Sequence, residues 1–96
     1  MKSGTFFVYI MSNGARFVLY VGVTNNLVVR NQQHKAGLGS SFTKRYNVDQ
    51  LVYYETFDSI TAAIEREKRI KGGSRARKVQ LISDFNPEWK DLSDAL

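Results

Sequence analysis

The sequence predicts an α/β chain of the α+β kind: a small three-stranded antiparallel sheet flanked by helices. Three observations carry this expectation. Residues 6–11 and 17–23 are rich in Phe, Val, Tyr and Ile and flank Asn13-Gly14, a pair that tolerates positive φ and marks a tight hairpin. Leu51-Val52-Tyr53-Tyr54-Glu55 reads as a third strand. Between Ser59 and Lys71 the apolar residues Ile60, Ala63, Ile64 and Ile70 recur at helical spacing, and Gly72-Gly73 follows them.

The elements follow in order. If Asn13-Gly14 forms a two-residue turn, residue 12 opposes 15, Tyr9 opposes Val18 and Phe7 opposes Tyr20. Tyr9 and Tyr20 are then diagonal neighbours on one face, about 7–8 Å apart at Cα. One extra loop residue would break that parity. Next come Thr24-Asn25-Asn26, whose side chains can cap free N–H groups, and a helix to about Lys35. Residues 37–48, with Gly37, Gly39, Ser40 and Ser41, read as a loop long enough to carry function. Asp58 or Ser59 caps the long helix. Ser74 caps a further one through Ser83, with Val79, Leu81 and Ile82 facing inward, and Pro87 forbids its continuation.

Ninety-six residues fit a single domain, 1–96 with a core of about 5–92. A chain of this size buries only about 60–65% of its unfolded surface, so one compact core is expected. The hydrophobic fraction of 43% suffices for it, and cysteine is absent, which excludes disulfides and thiolate metal sites. The apolar run Phe6–Met11 is too short for a membrane span or a signal core. A reducing cytoplasm suits such a chain, and cytoplasmic localisation is the expectation.

The net charge is +5, and its distribution says more than its sum. Residues 30–45 carry Arg30, Lys35, Lys44 and Arg45 with no acid; residues 66–78 carry Arg66, Lys68, Arg69, Lys71, Arg75, Arg77 and Lys78 against Glu67 alone. From residue 84 the sign reverses, with Asp84, Glu88, Asp91 and Asp94 against Lys90. Such asymmetry favours a polyanion on one face, although a solvated helix surface gives the same count.

Phe7-Val8-Tyr9, and Tyr20-Val21-Gly22 ten residues later, resemble the paired triplets that name the GIY-YIG nuclease superfamily. Aromatic pairs on hairpins often only pack. Arg30 and His34, one helical turn apart, match the family's arginine and the aromatic or histidine after it. Of the two acids on the later helix, Glu67 follows Ile60, Ala63 and Ile64 at helical intervals and lies on the core-facing stripe, whereas Glu65 lies off it. The family's metal ligand is such a glutamate; an ion pair of Glu67 with Lys71 or Arg66 is the plainer alternative. Asn86, before Pro87, is placed like the family's supporting terminal asparagine and equally suits a turn. The runs His34–Tyr46 and Arg66–Lys71 resemble the small stand-alone bacterial branch, the YhbQ-like or UPF0213-type proteins, a likeness that spans Phe7 to Leu92. Phe7 departs from the family's first glycine, and Val8 and Val21 replace isoleucines.

The resemblance implies a GIY-YIG endonuclease-like fold and a divalent-metal-dependent endonuclease that hydrolyses phosphodiester bonds, with DNA favoured over RNA, in DNA repair or processing. Its implied site comprises Tyr9, Tyr20, Arg30, His34, Glu67 and Asn86, with Glu67 holding Mg²⁺ or Mn²⁺ and Arg30 facing non-bridging oxygens. A free tyrosine, with pKa about 10, is a base at neutral pH only if cations lower that value. Tyr9 is favoured for that role, with Tyr20 orienting water or phosphate and His34 holding the tyrosine or relaying its proton. Lys44, Arg45, Arg69, Lys71, Arg75 and Arg77 are candidates to hold the nucleic-acid backbone. Phe42 and Tyr46 are of a type that stacks on bases, though burial is the expected fate of Phe42. The alternative is a nucleic-acid-binding module that keeps the scaffold without cleaving.

Overall fold

The computed structural model describes residues 4–96. Its elements are β1 (Phe6–Ser12), β2 (Leu19–Thr24), α1 (Leu27–Lys35), α2 (Ser41–Arg45), β3 (Gln50–Phe57), α3 (Ile60–Gly72), α4 (Arg75–Phe85) and a 3-10 turn at Leu92–Ala95. The strands lie in the order β2-β1-β3 and pair antiparallel throughout. The α+β architecture is the one the sequence predicts.

β1 is central, and its unbroken apolar run fits a strand covered on both faces. Alternation sorts its side chains into two cores. Val8 and Ile10 join Val21, Val52, Tyr53, Ala63, Ile70 and Ile82 against α3 and α4. Tyr9 and Met11 join Leu27, Val48 and Leu51 against α1, with Leu92 of the 3-10 turn closing over them. Among the described residues no helix is long and apolar enough to cross a membrane.

The hairpin differs from the two-residue turn. Tyr9 pairs with Gly22 and Met11 with Tyr20, so the register lies four residues from the expected one. Asn13 closes the larger loop: its side-chain oxygen accepts from the N–H groups of Phe17 at 2.9 Å and Val18 at 3.1 Å. The positive φ in the loop falls on Arg16, at 61°, instead of the Asn-Gly pair. A shift of four is even, so Tyr9 and Tyr20 still share a face, as diagonal neighbours.

Residues 37–48 also depart from the expected loop, because Ser41–Arg45 form the short helix α2. Ser40 caps it by accepting from the Thr43 N–H. The other caps match the sequence signals: Asn26 accepts from Val29, Ser59 from Ala62 and Ser74 from Arg77. On α3 the buried stripe runs through Ala63, Glu67 and Ile70, while Ile60 and Ile64, expected on it, stay exposed. Arg66 fixes the rotation of this helix with a forked bond to Glu55 of β3, whose carboxylate also accepts from the Tyr53 hydroxyl. Burial alone would raise the Glu55 carboxyl pKa; the bonds from Arg66 and Tyr53 overcome it and hold the group below the usual range.

β3 bulges between its pairings with Ile10 and Met11, so that Val52 and Tyr53 both reach the α3/α4 core. The Val52 carbonyl accepts from the Asn86 amide at 3.2 Å.

Candidate active site

α1 places its buried residues Leu27, Asn31 and His34 along one stripe, a spacing of i, i+4 and i+7 that turns all three toward the sheet. His34 thereby meets Tyr9 at the centre of β1. The Tyr9 hydroxyl and His34 Nε2 lie 3.1 Å apart, and both side chains are all but closed to solvent, at 1% and 3% exposure. Tyr20 packs beside them, its ring centroid 6.3 Å from that of Tyr9 and 5.4 Å from that of His34. Arg30, one turn before His34, is close enough for its charge to act on the Tyr9 phenol and favour its ionised form.

Glycine makes this cluster possible at two points. Gly22 faces Tyr9 across the hairpin, and a Cβ there would stand 2.5 Å from the phenol oxygen. Gly39 lies against the imidazole of His34, where a Cβ would stand 2.1 Å from Nδ1. Neither glycine has a left-handed backbone. Both are needed because a ring occupies the space of a side chain.

Glu67 comes from α3, the helix on the other face, which packs across β1 and β2. It is 9% exposed and close enough to Tyr9 to push the phenol pKa upward. Its Oε2 pairs with Lys71 Nζ at 2.6 Å, the plainer alternative raised by the sequence. Glu65 is exposed, as its phase requires.

The protein's own charges do not by themselves lower the phenol of Tyr9. The Tyr9 pKa is raised to about 12, chiefly by burial and then by Tyr20; Arg30 opposes both and does not prevail. The phenol is therefore a poor base by itself. The His34 pKa is lowered from its ordinary 6.5, first by burial and second by Arg30, so the imidazole is neutral at neutral pH.

Asn86 is not part of this cluster. Its amide donates to the carbonyls of Val52 and Lys90 and accepts from the Lys90 N–H, so it clasps the free side of β3 to the turn after α4. The sheet order puts β3 at the edge opposite β2, away from Tyr20.

The proposed backbone-holding cations divide as well. Lys44, Arg45, Arg69 and Arg77 are exposed. Arg45 lies over the Tyr46 ring, 5.5 Å from its centroid. Lys71 is engaged by Glu67, and Arg75 donates to the carbonyls of Phe17 and Arg16 at 2.7 Å each, tying α4 to the hairpin loop. Phe42, expected to be buried, is 44% exposed and stacks between Tyr20 and Tyr46, itself 42% exposed. Sequence reasoning missed Gly39 and Thr43, which contact the far side of His34, and Ser40, which holds Thr43. The signal for them was present: Ser40 stands three residues before Thr43 at N-cap spacing.

Comparison with known proteins agrees with this geometry. A family model described as the GIY-YIG catalytic domain matches residues 5–80. A UPF0213 protein of Natronomonas pharaonis is 42% identical over 78 residues, 81% of this chain and 91% of that protein. One from Syntrophus aciditrophicus is 41% identical over 83 residues, 85% and 93% of the respective chains. The solution NMR structure of a UPF0213 protein from Bacillus halodurans superposes with a TM-score of 0.58 at 27% identity, covering 94% of this chain and 95% of that one.

Proposed function

Because the chain belongs to the GIY-YIG nuclease family, we propose that it is a divalent-metal-dependent endonuclease that hydrolyses phosphodiester bonds, DNA in preference to RNA. The observation that carries this reading is the convergence of Tyr9, Tyr20, Arg30 and His34 on one face with the Glu67 carboxylate brought in from the other.

The donor set fits Mg²⁺ or Mn²⁺. Glu67 offers a hard carboxylate oxygen, and His34 is not a competing ligand, since Tyr9 and Thr43 occupy both of its nitrogens. Among the described residues no cluster of three or more His, Asp or Glu forms a metal cage, which suits an ion held by one carboxylate, water and substrate oxygens. Such an ion supplies Lewis-acid polarisation of the phosphate and stabilises the leaving oxygen.

The chain's own residues do the rest. Arg30 presents a planar fork to the non-bridging oxygens, where negative charge develops. A phenol with its pKa near 12 does not lose its proton unaided, so Tyr9 works as a conduit. As a water attacks phosphorus, its proton passes to the Tyr9 oxygen while the Tyr9 proton passes to His34 Nε2, 3.1 Å away. The water's electron pair forms the new P–O bond, and the leaving oxygen departs with the pair of the old one. His34 then returns its proton by the same path, through the Tyr9 oxygen, and the departed oxygen takes one from solvent. Tyr20 orients the water, and Lys44, Arg45, Arg69 and Arg77 hold the backbone on either side of the cut. In this reading Asn86, Lys71 and Arg75 serve the scaffold, a view supported by the contacts they make.

One observation favours the second reading, binding without cleavage: Lys71 already neutralises Glu67. The deciding experiment incubates the protein with plasmid, single-stranded, branched and RNA substrates in Mg²⁺, Mn²⁺ or EDTA, beside Glu67→Ala and Arg30→Ala. Cleavage that needs metal and is lost in both variants supports the nuclease. Binding without cleavage in every condition supports the second reading, and cleavage that survives Glu67→Ala removes the metal assignment.

A further inference from the structure

His34 uses one ring nitrogen for Tyr9, and its other nitrogen faces α2. Nδ1 lies 3.2 Å from the hydroxyl of Thr43, a residue only 2% exposed. That hydroxyl lies 3.2 Å from the Ser40 carbonyl and 3.0 Å from the Ser40 hydroxyl, while the Thr43 N–H donates to Ser40 Oγ at 3.1 Å. Gly39 lets the same segment close on the ring, since a Cβ there would overlap Nδ1 and Cε1.

A hydroxyl carries one hydrogen, and a carbonyl carries none. The Thr43 hydroxyl has Ser40 O, Ser40 Oγ and His34 Nδ1 within reach of its one hydrogen; directed at the Ser40 carbonyl, which can only accept, it offers His34 lone pairs alone. The ring hydrogen then belongs on Nδ1, and Nε2 is bare toward Tyr9.

We propose that Thr43 is a positioning residue that fixes the tautomer of His34: Nδ1–H donates to Thr43 Oγ1, and Nε2 is held ready to accept the Tyr9 proton. This rests on the reading of Tyr9 and His34 as the proton route. The opposite tautomer places a hydrogen on Nε2, turns Tyr9 into an acceptor and closes that route. Once Nε2 takes the proton, both nitrogens are donors and the Nδ1–H bond to Thr43 persists. The same contact therefore serves both protonation states. The segment from Gly39 into α2 thus sets Gly39 and Thr43 against one imidazole, with Ser40 holding Thr43.

His34 is the only histidine in the sequence, so its ring nitrogens can be read by ¹⁵N NMR without assignment ambiguity. The metal-free protein above pH 7 is expected to show the Nδ1–H form. Thr43→Val, which keeps the shape and removes the acceptor, is expected to give a tautomer mixture and a kcat lower by about 10- to 100-fold with KM unchanged, and Thr43→Ser to restore both. An Nε2–H form in the wild type overturns the proposal, as does an unchanged tautomer in Thr43→Val. The wild-type spectrum decides the point even if that variant does not fold. A protein with the Nδ1–H form that cuts no nucleic acid leaves the tautomer assignment standing and rejects the nuclease reading alone.

Discussion

Gly22 and Tyr9 are cross-strand partners, and the phenol of Tyr9 fills the space where a side chain of Gly22 would be. The backbone of β2 thus forms one wall of the site. It limits how far the hydroxyl can move from His34.

Gly22→Ala tests that wall. A methyl 2.5 Å from the phenol oxygen must displace a ring that is 1% exposed. Overpacking of this kind costs about 1–3 kcal/mol, and cleavage is expected to fall by more than the loss of folded protein explains. Denaturant melts and single-turnover rates on the same sample separate the two.

Tyr9→Phe removes the conduit and leaves the buried His34 Nε2 without its partner. Cleavage is expected to drop by about 10²- to 10⁴-fold, far more than a stability loss of about 1–3 kcal/mol explains in a protein that stays folded. A variant within a few-fold of wild type would show that water loses its proton by another route.

The two acids of α3 give a paired test. Glu65→Ala, at an exposed site, is expected to cut at the wild-type rate; Glu67→Ala is expected to lose at least about 100-fold and to retain nucleic-acid binding. Gel shifts in EDTA beside nicking assays in Mg²⁺ read both properties. Activity lost with Glu65 instead would mean that the substrate approaches α3 from its outer face.

His34 sets the expected pH dependence. Its folded pKa is lowered from 6.5, so the unfolded chain binds this proton more tightly than the folded one. Its contribution is complete above pH 6.5 and is lost as pH falls from there toward the lowered folded value. The rate should show an acid limb below pH 6.5, and no loss of the Tyr9 proton is expected until about pH 12. Melting temperatures from about pH 5 to 8 should share the slope, and His34→Gln should flatten it. The carboxylates held low, Glu55 and Asp91, act only at lower pH, below their ordinary values of 4.5 and 3.8.

Asn86→Ala separates scaffold from chemistry. It strands the Val52 and Lys90 carbonyls and the Lys90 N–H, a cost of about 1–3 kcal/mol in stability. Well below the melting temperature its cleavage rate is expected to match wild type. A selective loss of rate would instead tie the β3 edge to catalysis.

What the sequence revealed and what it hid follow from the range of the interactions involved. Helix caps act over three residues, so Asn26, Ser59 and Ser74 were legible, and helical phase separated Glu67 from Glu65. The hairpin register was hidden because it depends on one side chain: Asn13 bonds along the chain to Phe17 and Val18 and opens a wider loop than its dipeptide suggests. α2 was hidden by its brevity, five residues in a stretch rich in Gly and Ser. The duties of Arg75 and Asn86 span 58 and 34 residues of separation, and nothing local announces them. Phe42 was misjudged for the converse reason: an aromatic residue in a loop looks like core until its neighbours turn out to be the half-buried Tyr20 and the exposed Tyr46.

The wider hairpin loop has a bearing on how this chain can be altered. Tyr9 and Tyr20 meet because of the ladder, which ends at Ser12 and Leu19 and leaves residues 13–18 outside it. Segment swaps confined to that loop, of odd or even length, keep both rings on the histidine side as long as the ladder holds, whereas a one-residue slip of the pairing sends one of them toward α3. The hairpin tip is therefore the place where this chain tolerates grafted sequence, and the paired strands are the place where it does not.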